Sequence, residues 1–196
     1  MLPTTSLKMM HKTMDSEHYT QLYTPEQVKS RIDELADNIL VDYPDTSPLF
    51  VALLRGASPF ASKLIFAIAR KAPEYHPDLD YMTISTYGED HTAKQPVIIT
   101  DLAPSTTVAD RDVVIIDDVI DFGVTSQFVT DLLHERGARS IKLAVLASKD
   151  IPSRTSQADY IGFEAGDKWL VGMGLDDAQA GHEAYRWIEE IWEIKH

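Results

Sequence analysis

Two hydrophobic rhythms alternate along the chain. Val28, Ile32, Leu35 and Ile39 recur at helical spacing and predict an amphipathic helix. Thr24 suits its N-cap, Pro25 its first position and Gln27 its third. Leu49 to Leu54 is a continuous apolar run, as in a strand buried on both faces. Ser58 and Pro59 open a second helix with Phe60, Leu64 and Ile68 on one side. Leu79 to Thr86 is strand-like, Gly88 to Pro96 is polar and reads as a loop, and Val97 to Thr100 suits a short returning strand. Val113 to Ile116, apolar and mostly β-branched, predicts another buried strand. Val124, Phe128, Val129, Leu132 and Leu133 then follow a helical pattern, with Gly137 where a helix ends. Ile141 to Ala147 is a further buried strand, and Tyr185, Ile188 and Trp192 suggest an amphipathic C-terminal helix. Strands alternating with helices predict an α/β fold, with a central parallel sheet and helices on both faces. Such sheets bind ligands beyond the carboxyl ends of their strands.

Composition narrows the class. The 196 residues, 44% hydrophobic and 25% charged, fit one globular domain with a real core. The absence of cysteine excludes disulfides and thiolate chemistry. No apolar run reaches membrane-spanning length, and Met1 to His18 has no continuous apolar stretch of signal-peptide type. The expectation is therefore a cytoplasmic protein with no membrane partner. Residues 1–20 read as a flexible polar arm, in which Met9, Met10 and Met14 leave the start open. A net charge of −13 argues against a nucleic-acid surface, which depends on Lys and Arg.

The carboxyl end of the Val113–Ile116 strand concentrates the chemistry. Asp117 and Asp118 stand there, followed by a short loop with Asp121, Phe122, Gly123, Val124 and Thr125 at the next helix start. A helix N-terminus offers unpaired N–H groups and partial positive charge to a phosphate. The acids can take ribose hydroxyls or a Mg²⁺ shell, so the string suits a phosphorylated sugar. Arg55 and Gly56 follow the Leu49–Leu54 strand, where a guanidinium and an exposed amide can face a pyrophosphate. Taken alone, that pair reads equally well as a plain strand-to-helix turn.

The segment from Val113 to Thr125 resembles the phosphoribosyl pyrophosphate (PRPP) signature of the type I phosphoribosyltransferases, with Phe122 replacing the usual Thr or Ser. The resemblance spans about Leu49 to Asp177 and extends to the hypoxanthine–guanine branch. It implies the type I fold with a small hood subdomain, and a non-proline cis peptide in the loop holding Arg55 and Gly56. It further implies that Gly123 to Thr125 and the Phe122 amide hold the 5′-phosphate, that Asp117 and Asp118 orient ribose and Mg²⁺, and that Asp121 is the general base. Thr86 and Tyr87 would open a catalytic flap. Lys149 would contact the purine 6-oxygen, Trp169 would stack on the base, and the Leu170 backbone would read its edge. Asp176 would be a Mg²⁺ ligand. Without that context, Lys149 reads as a solvated charge, Trp169 as a core aromatic, and Asp176 with Asp177 as a solvated turn. The branch usually has an arginine that helps hold pyrophosphate; its place falls near His182, with Arg186 shortly after.

The implied organisation is an arm over residues 1–20, a core with hood over 21–177, and a C-terminal helix over 178–196. The implied activity transfers 5-phosphoribosyl from PRPP to a 6-oxopurine (hypoxanthine, guanine or xanthine), with Mg²⁺ as cofactor and a dimer or tetramer as assembly. The alternatives are a phosphoribosyltransferase for another base, or a PRPP-binding regulator of the same fold.

Overall fold

The computed structural model describes residues 14–87, 93–181 and 183–195. Thr24 caps the first helix reciprocally: its hydroxyl accepts from the Gln27 amide, and the Gln27 side chain accepts from the Thr24 amide. That helix, α1 (Pro25–Asp42), follows strand β1 (Tyr19–Tyr23). Then come β2 (Leu49–Leu54), α2 (Ser58–Lys71), β3 (Asp78–Tyr87), β4 (Ala93–Thr100), β5 (Asp112–Ile120), α3 (Val124–Glu135) and β6 (Ser140–Lys149). The chain continues through β7 (Tyr160–Gly166), β8 (Leu170–Val171) and β9 (Ile191–Ile194).

The main sheet runs β4-β3-β2-β5-β6-β7. Its four pairings from β3 to β7 are all parallel, as strands buried on both faces favour. In β2, Phe50 and Ala52 face a core shared with Ile32, Leu35, Ile39, Phe60, Leu64 and Ile68 of α1 and α2. Leu49, Val51 and Leu53 face the other core, with Val129 and Leu133 of α3. The continuous apolar runs thus reflect strands covered on both sides.

Three expectations need correction. The returning strand β4, which pairs antiparallel with β3 at the edge of the otherwise parallel sheet, begins at Ala93, inside the expected loop. Pro96 is tolerated there because an edge strand can spare one N–H. Tyr19 and Thr20 are not arm: they pair with Ile194 and Glu193 in a small antiparallel sheet ordered β1-β9-β8. Residues 1–13 of the expected arm lie outside the described residues. Finally, the described residues between 178 and 195 do not form a helix. Gly181, Glu183 and Tyr185 have φ of 140°, 64° and 62°, incompatible with helix. The Arg186 and Ile188 carbonyls accept from Gly174 and Met173 instead of from the next turn, and Ile191–Ile194 becomes the central strand of the hood. Tertiary pairing here overrides the helical spacing of Tyr185, Ile188 and Trp192.

The hood is tied to its own base by a buried pair. The Tyr19 hydroxyl donates to Asp177 Oδ2 at 2.8 Å, and the Tyr19 ring meets the Tyr185 ring edge-on. Burial alone would raise the Asp177 carboxyl, but the Tyr19 hydroxyl and the Ala180 and Gln179 amides outweigh it and hold it below the usual carboxylate range. Its stabilisation is therefore full above about pH 4, the usual carboxylate value, and fades as pH falls through the lowered folded-state value. Tyr19→Phe should cost about 1 kcal/mol near neutral pH. In urea denaturation, the gap between wild type and variant should narrow as the pH falls below about 4.

Candidate active site

The sheet order reverses between β2 and β5. From β2 the chain passes through α2 to β3 on one side, and from β5 through α3 to β6 on the other. Their carboxyl ends lie side by side at this switch point, where open α/β sheets leave a crevice. The loop with Arg55 and Gly56 therefore meets the segment from Asp117 to Thr125. The Leu54–Arg55 peptide bond is cis, in the loop where the resemblance implied one.

Contact between these loops depends on missing side chains. A Cβ on Gly56 would stand 1.8 Å from Asp118 Oδ2. A Cβ on Gly174 would stand 1.8 Å from the Gly56 carbonyl oxygen, and Gly174 has φ of 111°. Three segments, from β2, β5 and the hood, thus close on one point. At Gly123, φ is 79°, and a Cβ would lie 2.8 Å from the Ser156 amide nitrogen.

Asp117 and Asp118 lie within the last part of β5, each accepting from the amide of the following residue. Burial pushes the Asp117 carboxyl well above its ordinary value, and the adjacent Asp118 charge adds to this. Asp118 is raised by burial too, against opposition from hydrogen bonds and from the nearby Arg186 charge. Two such carboxylates favour a ligand that brings hydroxyl donors or a cation.

Gly123 is the N-cap of α3 and offers no side-chain cap, so the first-turn amides face the loop without a capping side chain. Thr125 is half-buried in that first turn, while Val124 and Phe122 are exposed, Phe122 at 55%. The Phe122 side chain therefore does not fill the turn. Behind the loop, the Thr155 amide and hydroxyl both donate to the Phe122 carbonyl, at 2.9 and 3.0 Å. Arg154 Nε donates to the Asp121 carbonyl at 3.2 Å, and its Nη1 to Ser148 Oγ at 3.1 Å. No local sequence signal links these residues to the loop they brace, because β6 and a long connection intervene.

On the β6 side, Lys149 Nζ lies 4.4 Å from the centroid of the Trp169 ring and 3.5 Å from Asp121 Oδ2. Trp169 is 58% exposed, so it is not a core aromatic. Leu170 is buried and pairs with Glu193 in the hood, while the Trp169 carbonyl accepts from Ile194. A cleft of about 600 Å³ lies beside Lys149, bounded also by Arg154, Gln157, Glu164 and Gly166. That is within the size range of small-molecule sites.

On the hood side, Asp176 is not a solvated turn residue: its Oδ1 pairs with Arg186 Nη2 at 2.9 Å. Arg186 also donates to the Gly174 carbonyl and pairs with Glu183, whose other oxygen lies 3.0 Å from Arg55 Nη1. Sequence spacing pointed near His182, which lies outside the described residues; Arg186 is the arginine that faces Asp118. Thr86 and Tyr87 end β3, but their side chains lie outside the described residues, as does the segment 88–92.

The pattern of the phosphoribosyl transferase domain family matches residues 18–178. The chain belongs to this family. Within it, this phosphoribosyltransferase is 36% identical over 176 residues to the hypoxanthine-guanine phosphoribosyltransferase of Bacillus subtilis, covering 89% of this chain and 92% of that one. It is 34% identical to the bifunctional protein TilS/HprT of Listeria innocua, covering 94% of this chain but only 27% of that longer protein. The crystal structure of a hypoxanthine phosphoribosyltransferase from Staphylococcus aureus superposes with a TM-score of 0.81 at 29% identity, covering 95% of this chain and 96% of that one. Fold and branch agree with the resemblance carried by the signature and the hood.

Gly56 and Gly174 should respond differently to a methyl group. Gly56→Ala meets the Asp118 side chain, whose Cγ would lie 2.5 Å away, so Asp118 must leave its present position. Gly174→Ala meets backbone and also carries an unfavourable φ, so it should destabilise more, by about 1–3 kcal/mol. Urea denaturation of both variants would compare them.

Proposed function

We propose that the protein is a purine-salvage phosphoribosyltransferase that joins the 5-phosphoribosyl group of PRPP to a 6-oxopurine, hypoxanthine foremost, with guanine or xanthine as further substrates, releasing pyrophosphate. The observation that carries this reading is the grouping of Lys149, exposed Trp169 and Asp121 beside an uncapped helix N-terminus. An exposed aromatic face and a neighbouring ammonium suit a flat base with a carbonyl acceptor. The first-turn amides of α3 suit the 5′-phosphate two bonds beyond the ribose.

In this reading the purine stacks on Trp169, Lys149 donates to its 6-oxygen, and the backbone near Leu170 borders its edge. The anomeric C–O bond to pyrophosphate lengthens through an oxocarbenium-like state as the purine nitrogen approaches. The new C–N bond forms while Asp121 takes the imidazole proton. Asp117 and Asp118 hold the ribose hydroxyls. Gly123, Val124, Thr125 and the Phe122 amide hold the phosphate, and Arg55, the Gly56 amide and Arg186 neutralise the departing pyrophosphate. Thr86 and Tyr87 belong to the segment that would close over the reaction and exclude water.

Mg²⁺ fits this donor set. Asp117, Asp118 and Asp176 offer hard carboxylate oxygens, and the raised Asp117 and Asp118 carboxyls would gain from a neighbouring cation. Among the described residues no three His, Cys, Asp or Glu side chains form a metal cage, so substrate oxygens and water would complete the shell. The ion, when bound, supplies charge neutralisation of PRPP. Family resemblance supports a homodimer or homotetramer, for which exposed Phe66 and Trp187 offer apolar surface. Among the described residues no helix is long and apolar enough to cross a membrane.

An assay with PRPP, Mg²⁺ and each of hypoxanthine, guanine, xanthine, adenine and uracil tests the proposal. Turnover with 6-oxopurines supports it. PRPP binding without turnover on any base would favour a regulator, and turnover confined to adenine or uracil would move the substrate elsewhere. Asp121→Asn should lower kcat by about 10²- to 10³-fold while PRPP affinity holds, as expected for loss of a proton acceptor. Lys149→Ala should erode the preference for hypoxanthine over adenine, read from the two kcat/KM values; an unchanged ratio would remove Lys149 from base selection.

A further inference from the structure

We propose that Glu183 sets the affinity for pyrophosphate by occupying, in the free protein, the two guanidinium groups that would receive it. This rests on the reading of Arg55 and Arg186 as the pyrophosphate side of the site. One Glu183 carboxylate oxygen lies 3.0 Å from Arg55 Nη1, and the other accepts from Arg186 Nε. Two oxygens of one anion bridging two arginines is the arrangement a phosphoryl group would adopt there. The backbone brings the side chain inward: Glu183 and Tyr185 both lie in the left-handed region, two residues apart, in the turns that follow Asp177.

The alternative is that Glu183 merely orients Arg186, and the contacts argue against it. Arg186 is fixed without Glu183, by the Gly174 carbonyl and by Asp176. Its side chain is 10% exposed, so packing also restrains it. Arg55, by contrast, is 64% exposed, and its one ion pair with the part-buried Glu183 carboxylate leaves most of its guanidinium to solvent. The net effect of Glu183 on an arriving anion is therefore competition, on a chain that already carries a charge of −13. As PRPP binds, the carboxylate must leave both arginines, and as pyrophosphate departs it can return. Glu183 thereby weakens product binding and favours release.

The test compares wild type with Glu183→Gln, which keeps the shape and removes the charge. Calorimetry with magnesium pyrophosphate, and the KM for PRPP, are the readouts. Both constants should fall about three- to tenfold, the range expected for losing a competing carboxylate partly screened by solvent. The KM for the base should stay put. Glu189→Gln, which removes an equal charge from a surface pair with Lys63, should move neither constant. Unchanged or weaker pyrophosphate binding in Glu183→Gln would overturn the proposal, and weaker binding would identify Glu183 as an orienting residue. Should the variant fold poorly, a wild-type crystal with pyrophosphate decides: the carboxylate should have left both guanidiniums, and retention of either pair would overturn the idea. Wild-type protein that binds neither PRPP nor pyrophosphate would remove the functional reading itself. Wild-type binding with an unshifted variant removes only the role of Glu183.

Discussion

The site depends on close approach of backbone at the sheet's switch point. Gly56 lies against the Asp118 carboxylate on one side and receives Gly174 against its carbonyl on the other. A side chain at Gly174 would push the hood away from the loop that carries Arg55, and one at Gly56 would displace the Asp118 carboxylate. The surrounding β strands are buried on both faces and cannot shift to make room, since protein interiors pack at near-crystalline density. Small residues are therefore a geometric requirement of the site.

Charge is the second constraint. A strongly acidic chain must attract an anionic sugar phosphate, and the answer is local. The α3 N-terminus, Lys149, Arg55 and Arg186 all face the crevice, and screening limits the bulk field to about 8 Å at physiological salt. Each of these cations has an acidic neighbour: Asp121 for Lys149, Glu183 for Arg55, and Asp176 and Glu183 for Arg186. The pairing leaves little uncompensated positive charge around these cations.

What the sequence revealed followed from locality. The Thr24 cap, the continuous run of β2 and the string from Val113 to Thr125 each draw their meaning from neighbours in the chain. What it hid depended on distant partners. The helical spacing of Tyr185, Ile188 and Trp192 misled because Gly174 and Met173 claim the carbonyls that a helix would have used. The bracing of Asp121 and Phe122 by Arg154 and Thr155 joins segments separated by a whole strand. The nearness of Arg186 to Asp118 joins the hood to β5, and nothing in the chain around Arg186 announces it. The exposure of Trp169 could not be inferred from composition, because tryptophan usually fills cores.

A crystal structure with inosine 5′-monophosphate tests the central claim most directly. The account predicts the phosphate on the first-turn amides of α3, ribose hydroxyls at Asp117 and Asp118, and the base flat against Trp169 with its 6-oxygen toward Lys149. A nucleotide bound elsewhere, with the turn from Asp121 to Thr125 left to water, would contradict it.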